Sequence, residues 1–319
     1  MNFDVVALGE LLIDFTEKSV DSDGYPTMAG HPGGAPSNFL AALSRYGVRT
    51  ALLGKVGADH FGTLLLETLR QAGVETSGVL MDPAVFTTLA FVTLNSRGDR
   101  SFGFARKPGA DTCLRPEELN LSMIAQARVF HFGSLSLTDE PSRSATQTAV
   151  AYAKEHGKLI TYDPNFRRPL WPSEREARQQ ILWGIRQSDV VKINGEELRF
   201  LWDCGPDEGA ERLLGECGVQ LAMVTLGDQG CYLKNAGSSC RLSVPEVHPV
   251  DTTGAGDIFG GAAVSRLLAL EHSPGTLTGD ELEAVARFAA TAASLSTERP
   301  GGISSIPPLE EVLKRMGRF

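Results

Sequence analysis

The chain has 319 residues, of which 42% are apolar and 22% charged, and its formal net charge at pH 7 is −9. These values exclude disordered and fibrous proteins as descriptions of the whole chain. The acidic balance argues against broad binding to nucleic acids or anionic membranes, which requires a basic surface. The start, Met1 to Asp4, lacks the basic segment of a secretory signal, and no apolar run approaches the roughly 20 residues of a membrane span. Five cysteines without C-x-x-C spacing predict reduced thiols in a cytoplasmic protein, with a zinc site or a disulfide framework as the alternative.

Six short apolar runs predict strands that are buried on both faces of a parallel sheet. These runs are residues 4–9, 50–56, 128–133, 158–163, 189–193 and 220–226. Amphipathic segments lie between them: Asp59 is expected to cap a helix that ends near Gly73, and Ser173 with Glu176 has capping-box spacing. Alternating strands and helices imply βαβ crossovers, so the chain is expected to form a three-layer α/β/α fold.

Two segments, at about residues 15–32 and 85–108, interrupt this alternation. In the second one, residues 86–94 and 100–104 predict a hairpin whose turn is Asn95-Ser-Arg-Gly-Asp99. Both segments are too small for a core of their own. We therefore expect residues 1–319 to form one domain in which they make a small β flap, with another β excursion at about 228–250.

The strongest local motif is Asp251-Thr-Thr-Gly-Ala-Gly-Asp257, which directly precedes an apolar helical segment. Glycines that lead into a helix leave backbone N–H groups pointing at one spot, where the helix dipole adds positive charge, so the motif predicts an anion hole. We expect the same N–H groups to hold Asp257 ionised, ready to accept a proton from an attacking hydroxyl. A plain capped helix is the alternative. Because position 259 is Phe, the segment is not a G-x-G-x-x-G dinucleotide motif.

A second glycine motif, His31-Pro-Gly-Gly-Ala-Pro-Ser-Asn38, precedes a helix predicted over residues 39–46. Gly33 and Gly34 allow a ligand to approach the backbone closely, and the amide of Asn38 can both donate to and accept from a sugar hydroxyl. Asp14 follows the first predicted strand, at the sheet edge where ligands of open α/β folds bind. From the residues alone, an ordinary loop and an exposed acid remain alternatives.

Three further segments follow predicted strands. Asp163-Pro-Asn165-Phe-Arg167 combines a carboxylate, an amide and a guanidinium, which suits a polyol or a carboxylated sugar, although a salt-bridged turn is the alternative. Asn194-Gly-Glu-Glu197 is also a capping-box pattern. The Thr225–Gly230 segment either passes under a nucleotide or forms a tight turn. His131 lies in an apolar strand and is predicted to be a hydrogen-bonded core residue.

Taken together, these motifs resemble the ribokinase-like (PfkB) family of carbohydrate kinases from end to end. The segment Gly33–Asn38 is similar to the N-terminal signature of the family, and Asp251–Asp257 to its C-terminal signature. Asn194-x-x-Glu197 matches the N-x-x-E motif, and the Thr225–Gly230 segment resembles the nucleotide loop. The resemblance implies a ribokinase-like α/β/α sandwich with a mainly parallel central sheet and a small β-strand lid. It also implies an ATP-dependent sugar kinase.

The resemblance further implies a role for each matching residue. Asp257 would be the catalytic base, beside an anion hole formed by the backbone of Gly254, Ala255 and Gly256. Sugar contacts are implied for Asp14, Gly33, Gly34, Asn38, Phe104, Arg106, Asn165, Arg167 and Asp257. Nucleotide contacts are implied for Asn194, Glu197, Thr225, Gly227, Gly230, Gly254 and Gly256.

The resemblance also implies two kinds of metal ion. Glu197 would organise the Mg²⁺ of MgATP through water, together with Asn194. A monovalent cation such as K⁺ would lie near Asp251, Thr253 and Ser305. The segment Pro300-Gly-Gly302 departs there from the Lys-Gly-Ala that is common in the family.

The substrate is expected to be fructose, with fructose 6-phosphate as the product. Residues 163–171 resemble both fructokinases and 2-keto-3-deoxygluconate kinases, whereas Phe102–Asp111 is more similar to fructokinases. The keto acid remains an alternative, because its carboxylate could pair with Arg167 or Arg106. A ribose or riboside kinase is a further alternative. A sugar-binding regulator without catalysis is disfavoured, because the residues that the chemistry needs are present. The family resemblance also suggests a homodimer formed through the lid.

Overall fold

The computed structural model describes residues 3–94 and 100–317. In this part of the chain the strands, numbered in order, are Val5–Leu8 (β1), Leu12–Val20 (β2), Pro26–Gly33 (β3), Thr50–Gly57 (β4), Val74–Asp82 (β5), Leu89–Leu94 (β6), Arg100–Ala105 (β7), Val129–Gly133 (β8), Leu159–Asp163 (β9), Val190–Asn194 (β10), Leu221–Thr225 (β11), Cys231–Lys234 (β12) and Ser239–Leu242 (β13). The α-helices are Ala35–Arg45 (α1), His60–Gln71 (α2), Leu121–Ala125 (α3), Ser142–Glu155 (α4), Glu174–Arg186 (α5), Gly195–Trp202 (α6), Pro206–Gly215 (α7), Ala255–Leu270 (α8), Gly279–Ser296 (α9) and Leu309–Met316 (α10). None of the described helices has both the length and the apolarity that a bilayer crossing requires.

The central sheet has nine strands in the order β13-β12-β11-β10-β9-β8-β1-β4-β5. Its strands run parallel from β5 to β11, and β12 and β13 add antiparallel pairs at one edge. All six predicted strands are present, so the mainly parallel sheet is confirmed. The sequence prediction missed β5, because this edge strand alternates buried with partly or fully exposed residues and is not apolar throughout.

Helices cover both faces of the central sheet and make the predicted three layers. Successive residues of β1 point to opposite faces: Val5 and Ala7 pack with α1, α2, α8, α9 and α10. Val6 and Leu8 pack on the other side with the helices from α3 to α7. His131 of β8 is buried, and its ring is hydrogen-bonded to Thr161 at 2.9 Å, as predicted for a core histidine.

The two segments that interrupt the βα alternation form one four-stranded sheet, the lid, in the order β3-β2-β6-β7. Its strands β6 and β7 make the predicted antiparallel hairpin, whose expected turn at residues 95–99 lies outside the described residues. The first segment begins at Leu12, three residues before the predicted start. Phe15 anchors the lid by packing edge-on against Phe61 of α2 and stacking on Phe91 of β6.

Helix α1 begins at Ala35, four residues before its predicted start. Pro36 lies in the first turn, where proline is favoured because its missing N–H has no helical acceptor to lose. Gly34 precedes the helix with φ 111°, a conformation that other residues rarely adopt. The consequence is that Asn38 lies in the first turn of α1 and not in a loop.

Candidate active site

A cleft of about 750 Å³ opens at the carboxyl ends of the central strands, beneath the lid. The structure brings to its lining most of the residues that the sequence motifs singled out: Asp14, Gly34, Asn38, Phe104, Asn165, Arg167, Asn194, Thr225, Gly227, Gly230, Thr253, Gly254, Ala255, Gly256 and Asp257. Gly33, Arg106, Glu197, Asp251 and Ser305 are not among the lining residues. The location is the one expected for ligands of open α/β sheets.

The cleft has two halves that meet at the N-terminus of α8. One half lies under the lid, where Asp14 and Phe104 contribute to its wall. The other half runs past the Thr225–Gly230 loop, between residues 244–249 and the C-terminal turns of α9. The lining of the cleft therefore comes from the lid on one side of α8 and from the Thr225–Gly230 and 244–249 segments on the other.

The turn before α8 has the geometry of an anion hole. Gly254 adopts a left-handed conformation with φ 76°, and no side chain in the described residues caps the helix. The first bond of the helical pattern runs from the Ile258 N–H to the Gly254 carbonyl at 2.9 Å. The N–H groups of Gly256 and Asp257 therefore precede that pattern and lie at the positive end of the helix dipole, in the lining of the cleft.

Asp257 is half-buried in this turn, and its Oδ2 accepts a hydrogen bond from Nδ2 of Asn38 at 2.9 Å. Burial raises its pKa to about 7, and the charge of Asp163 adds to the increase, whereas Asn38, Lys192 and Arg167 act in the opposite direction. The expectation that the N–H groups of α8 hold this carboxyl is not met in the described residues, where the amide of Asn38 holds it instead. The burial of this carboxyl favours its protonated form, contrary to the expectation that it stays ionised.

Two glycines make room for Asn38. A Cβ atom on Gly302 would lie 2.3 Å from Oδ1 of Asn38, and one on Gly254 would lie 3.2 Å from its Nδ2. Within the described residues, Oδ1 is buried without a hydrogen-bond partner. An orphaned buried acceptor is costly, so this oxygen suits a hydroxyl donor that arrives with a ligand.

Asp14 faces the cleft from β2. Burial raises its pKa to about 6, although the charge of Arg167 works against the increase. Its neighbour Gly33 is needed for steric reasons, because an added Cβ would lie only 2.2 Å from Oδ2 of Asp14. Gly33 thus contributes to the site by leaving space for the carboxylate and not by lining the cleft.

Arg106 does not occupy the position that the resemblance implied. Its Nε donates to Oδ2 of Asp111 at 2.8 Å, its Nη1 to Oγ1 of Thr138 at 2.8 Å and its Nη2 to the Leu135 carbonyl at 2.9 Å. All three nitrogen atoms therefore bind protein groups, and the side chain ties the end of β7 to the segment after β8. Of the two arginines considered for a sugar carboxylate, only Arg167 lines the cleft.

Asn194 and Glu197 form the capping box that was the structural alternative for this motif. Oδ1 of Asn194 accepts from the N–H groups of Glu196 and Glu197, each at 2.9 Å. In return, Oε2 of Glu197 accepts from the Asn194 N–H at 2.9 Å, and its Oε1 accepts from the Phe166 N–H at 2.8 Å. Asn194 lines the cleft. Glu197 does not, and its two hydrogen bonds connect the end of β10 to the Asp163–Arg167 loop.

The residues considered for a monovalent cation connect two loops beside α8. Oδ1 of Asp251 accepts from the N–H and hydroxyl of Thr253, at 2.9 and 2.7 Å, and Oδ2 accepts from the Gly301 N–H at 3.0 Å. The hydroxyl of Ser305 is buried and donates to the Gly302 carbonyl at 2.8 Å. Asp251 therefore joins the 251–253 and 299–302 loops into one hydrogen-bonded unit next to the anion hole.

Sequence reasoning missed Lys192, which lines the cleft from β10. Its Nζ lies 2.9 Å from Oδ2 of Asp163, and both side chains are buried. Burial alone would lower the pKa of this lysine, but the charges of Asp163, Glu197 and Asp257 raise it overall. One feature of the sequence could have revealed this residue: it is a lysine inside an otherwise apolar strand, and a buried lysine is rare unless it is paired with an acidic group.

The chain is similar to known proteins over nearly its whole length. A model of the pfkB family carbohydrate kinases matches residues 2–309. A protein named probable fructokinase-4 from Arabidopsis thaliana is 44% identical over 317 residues, which cover 97% of this chain and 95% of that protein. The crystal structure of a fructokinase with bound ATP from Xylella fastidiosa superposes with a TM-score of 0.91 at 28% identity, covering 100% of this chain and 99% of the other. A fructokinase from Vibrio cholerae O395, solved in a fructose, ADP and calcium ion bound form, gives 0.87 at 29% identity, covering 98% and 99%. These matches extend over nearly the whole chain and agree with its two-sheet architecture, so the chain belongs to the pfkB family of carbohydrate kinases.

Proposed function

We propose that this carbohydrate kinase is a fructokinase, which transfers the γ-phosphoryl group of MgATP to O6 of fructose and releases fructose 6-phosphate and ADP. The observation that carries the proposal is the position of Asp257 in the anion-binding turn, where the two halves of the cleft meet. Relatives named fructokinase support fructose as the acceptor. We treat residues 1–319 as one kinase domain whose lid covers the sugar.

The sugar binds in the half of the cleft beneath the lid. Asp14 accepts hydrogen bonds from its hydroxyl groups, and Oδ1 of Asn38, which is buried without a partner in the described residues, accepts another. The lid side chains exclude water around the sugar, which suppresses transfer of the phosphoryl group to water.

Asp257 acts as the general base. As O6 attacks, its proton passes to the carboxylate of Asp257, while the bond from O6 to phosphorus forms and the bond from phosphorus to the ADP oxygen breaks. A pKa of about 7 suits this role, because a base whose pKa is near the working pH combines availability with proton affinity.

The N-terminal turn of α8 stabilises the transferring phosphoryl group. Its backbone N–H groups are fixed before the reaction and meet negative charge without reorganisation. Magnesium arrives as part of the MgATP substrate. Asn194 is the residue of the N-x-x-E motif that lines the cleft, so we place it nearest to the hydrated metal, with Glu197 acting through the capping box that orients it.

2-Keto-3-deoxygluconate is the second candidate acceptor, and one observation favours it. Arg167 lines the cleft, where its guanidinium could bind the carboxylate of this substrate in a bidentate manner. The electrostatic influence of Asp14 and Asp257 on the same region disfavours an additional anionic group, and fructose is therefore preferred.

A monovalent cation such as K⁺ fits the loops joined by Asp251, because that hydrogen-bonded unit lies beside the anion-binding turn. A cation there would reinforce the positive potential that the phosphoryl group meets. Rates measured in KCl and in tetramethylammonium chloride at equal ionic strength test this expectation, and equal rates would contradict it.

Two broader expectations accompany the enzyme assignment. We propose a cytoplasmic location, supported by five free cysteine thiols, since such thiols persist in reducing compartments. We also propose a homodimer that pairs through the lids. Light scattering that finds only the mass of one chain would contradict the dimer.

The proposed reaction is tested by incubating the enzyme with MgATP and fructose and locating the new phosphate by ³¹P NMR. We expect fructose 6-phosphate and ADP in equal amounts. Asp257→Asn keeps the shape of the side chain but removes the base, so it should retain the fold and nearly abolish turnover. Full turnover by that variant would refute the assignment of the base.

A further inference from the structure

Lys192 is a buried cation for which the reaction described above has no role. Its side chain is 9% exposed, and the side chain of its partner Asp163 is 8% exposed. The ion pair joins adjacent strands, β10 and β9, at the end of the sheet that faces the cleft. Burying such a pair is often neutral or unfavourable for stability compared with apolar residues, so stability alone does not account for it.

The ammonium of Lys192 lies directly against the anion-binding turn. A Cβ atom added to Gly256 would be only 2.8 Å from its Nζ, so the glycine backbone and the ammonium are in contact distance. Both residues also line the cleft. The sheet thus brings a full positive charge to the place where α8 contributes only partial charges from its N–H groups.

The hydrogen bonds of Lys192 leave capacity for a ligand. An ammonium has three N–H donors, and one of them is used by Oδ2 of Asp163. No second acceptor meets Nζ within residues 3–94 and 100–317. Because the surrounding carboxylates raise its pKa, this lysine stays protonated at neutral pH and can act as a cation but not as a base.

We propose that Lys192 is a further catalytic residue of the phosphoryl transfer: its ammonium donates to the oxygens of the transferring group from the sheet side, opposite the N–H groups of α8. This inference rests on the proposed function. In the step, the bond between O6 and phosphorus forms, the bond from phosphorus to ADP breaks and the O6 proton goes to Asp257. Lys192 gains and loses no proton, and it balances the negative charge on the phosphoryl oxygens.

The test compares Lys192→Met with a matched control, Lys55→Met. Lys55 is also buried in the central sheet and paired with a carboxylate, Glu118, at 2.6 Å, but it does not line the cleft. For Lys192→Met we expect kcat to fall by about 100- to 1,000-fold, the usual effect of removing one preorganised donor. The KM for fructose should change little, whereas Lys55→Met should lower the melting temperature and keep kcat.

A double variant, Asp163→Asn with Lys192→Met, separates chemistry from folding, because it removes the unpaired buried carboxylate that the single change leaves behind. We expect the double variant to recover the melting temperature lost by Lys192→Met but not the lost kcat.

Two results for kcat would overturn the inference: its recovery in the double variant, or a Lys192→Met enzyme whose kcat stays within about threefold of wild type. A higher KM for ATP with unchanged kcat would also overturn it, since the contact would then be made in the ground state. Failure of the proposed function is distinguishable from these results, because the wild-type enzyme would then release no ADP with fructose.

Discussion

Removing the hydrogen bond between Asn38 and Asp257 should shift the pH dependence of the enzyme. Asn38→Leu keeps the approximate volume of the side chain but deletes the Nδ2 donor that lies 2.9 Å from Oδ2 of Asp257. A hydrogen bond to a charged group contributes about 1.5–3 kcal/mol, and 1.36 kcal/mol corresponds to one pH unit. Because this bond stabilises the ionised carboxylate, its loss should raise the pKa of Asp257 from about 7 by about one to two pH units.

The assay is the pH profile of kcat/KM for fructose, which reports the ionisation of the free enzyme. The kcat/KM of the wild type should rise with pH, with a midpoint near the pKa of Asp257, about 7. The midpoint of Asn38→Leu should lie at a higher pH. Asn165→Gly is the matched control: it removes another amide that lines the cleft, at a residue whose positive φ of 42° glycine tolerates. That variant should lower kcat/KM without moving the midpoint. An unchanged midpoint in Asn38→Leu would refute the claim that this amide controls the base.

Three further predictions concern neighbouring residues. Gly33→Ala would place a Cβ 2.2 Å from Oδ2 of Asp14, so the carboxylate must move, and calorimetry should find fructose binding weakened by about 10- to 100-fold. Arg106→Met leaves Asp111 buried without its ion-pair partner and should lower the free energy of unfolding in urea by about 3–5 kcal/mol; a loss below about 1 kcal/mol would mean that the pair is not structural. Burial raises the pKa of Glu10 from 4.5 to about 7, so the folded state binds a proton more tightly than the unfolded one and the wild type should lose stability as pH rises across that range. Glu10→Gln cannot titrate, so its melting temperature relative to wild type should increase across the same range, and a constant difference would contradict the assigned pKa.

The parts of the fold that are encoded locally were predictable from the sequence. Strands buried on both faces are nearly all apolar, which made β8 and β11 recognisable, and glycines before an apolar helix indicated the anion hole. The edge strand β5 was missed because its outer face is partly exposed. The start of α1 was placed too late because the motif was interpreted as a loop, although Pro36 favours the first turn of a helix.

The contacts that determine how the site works are long-range, and local patterns do not encode them. Asn38 and Asp257 are 219 positions apart in the chain, so their bond and its effect on the pKa of Asp257 required the fold. Arg106 was assigned to the sugar because its bond to Thr138, 32 positions away, is not visible in the sequence. The pair of Lys192 and Asp163 was missed for the same reason.

The measurement that tests the central claim most directly is the initial rate of ADP formation from MgATP with fructose and with 2-keto-3-deoxygluconate at matched concentrations. The account predicts a clear preference for fructose and only a mild effect of Arg167→Met on the fructose rate. In that case Arg167, which lines the cleft, contacts hydroxyl groups. A clear preference for the keto acid, lost on replacing Arg167, would contradict the account and make this residue a carboxylate clamp.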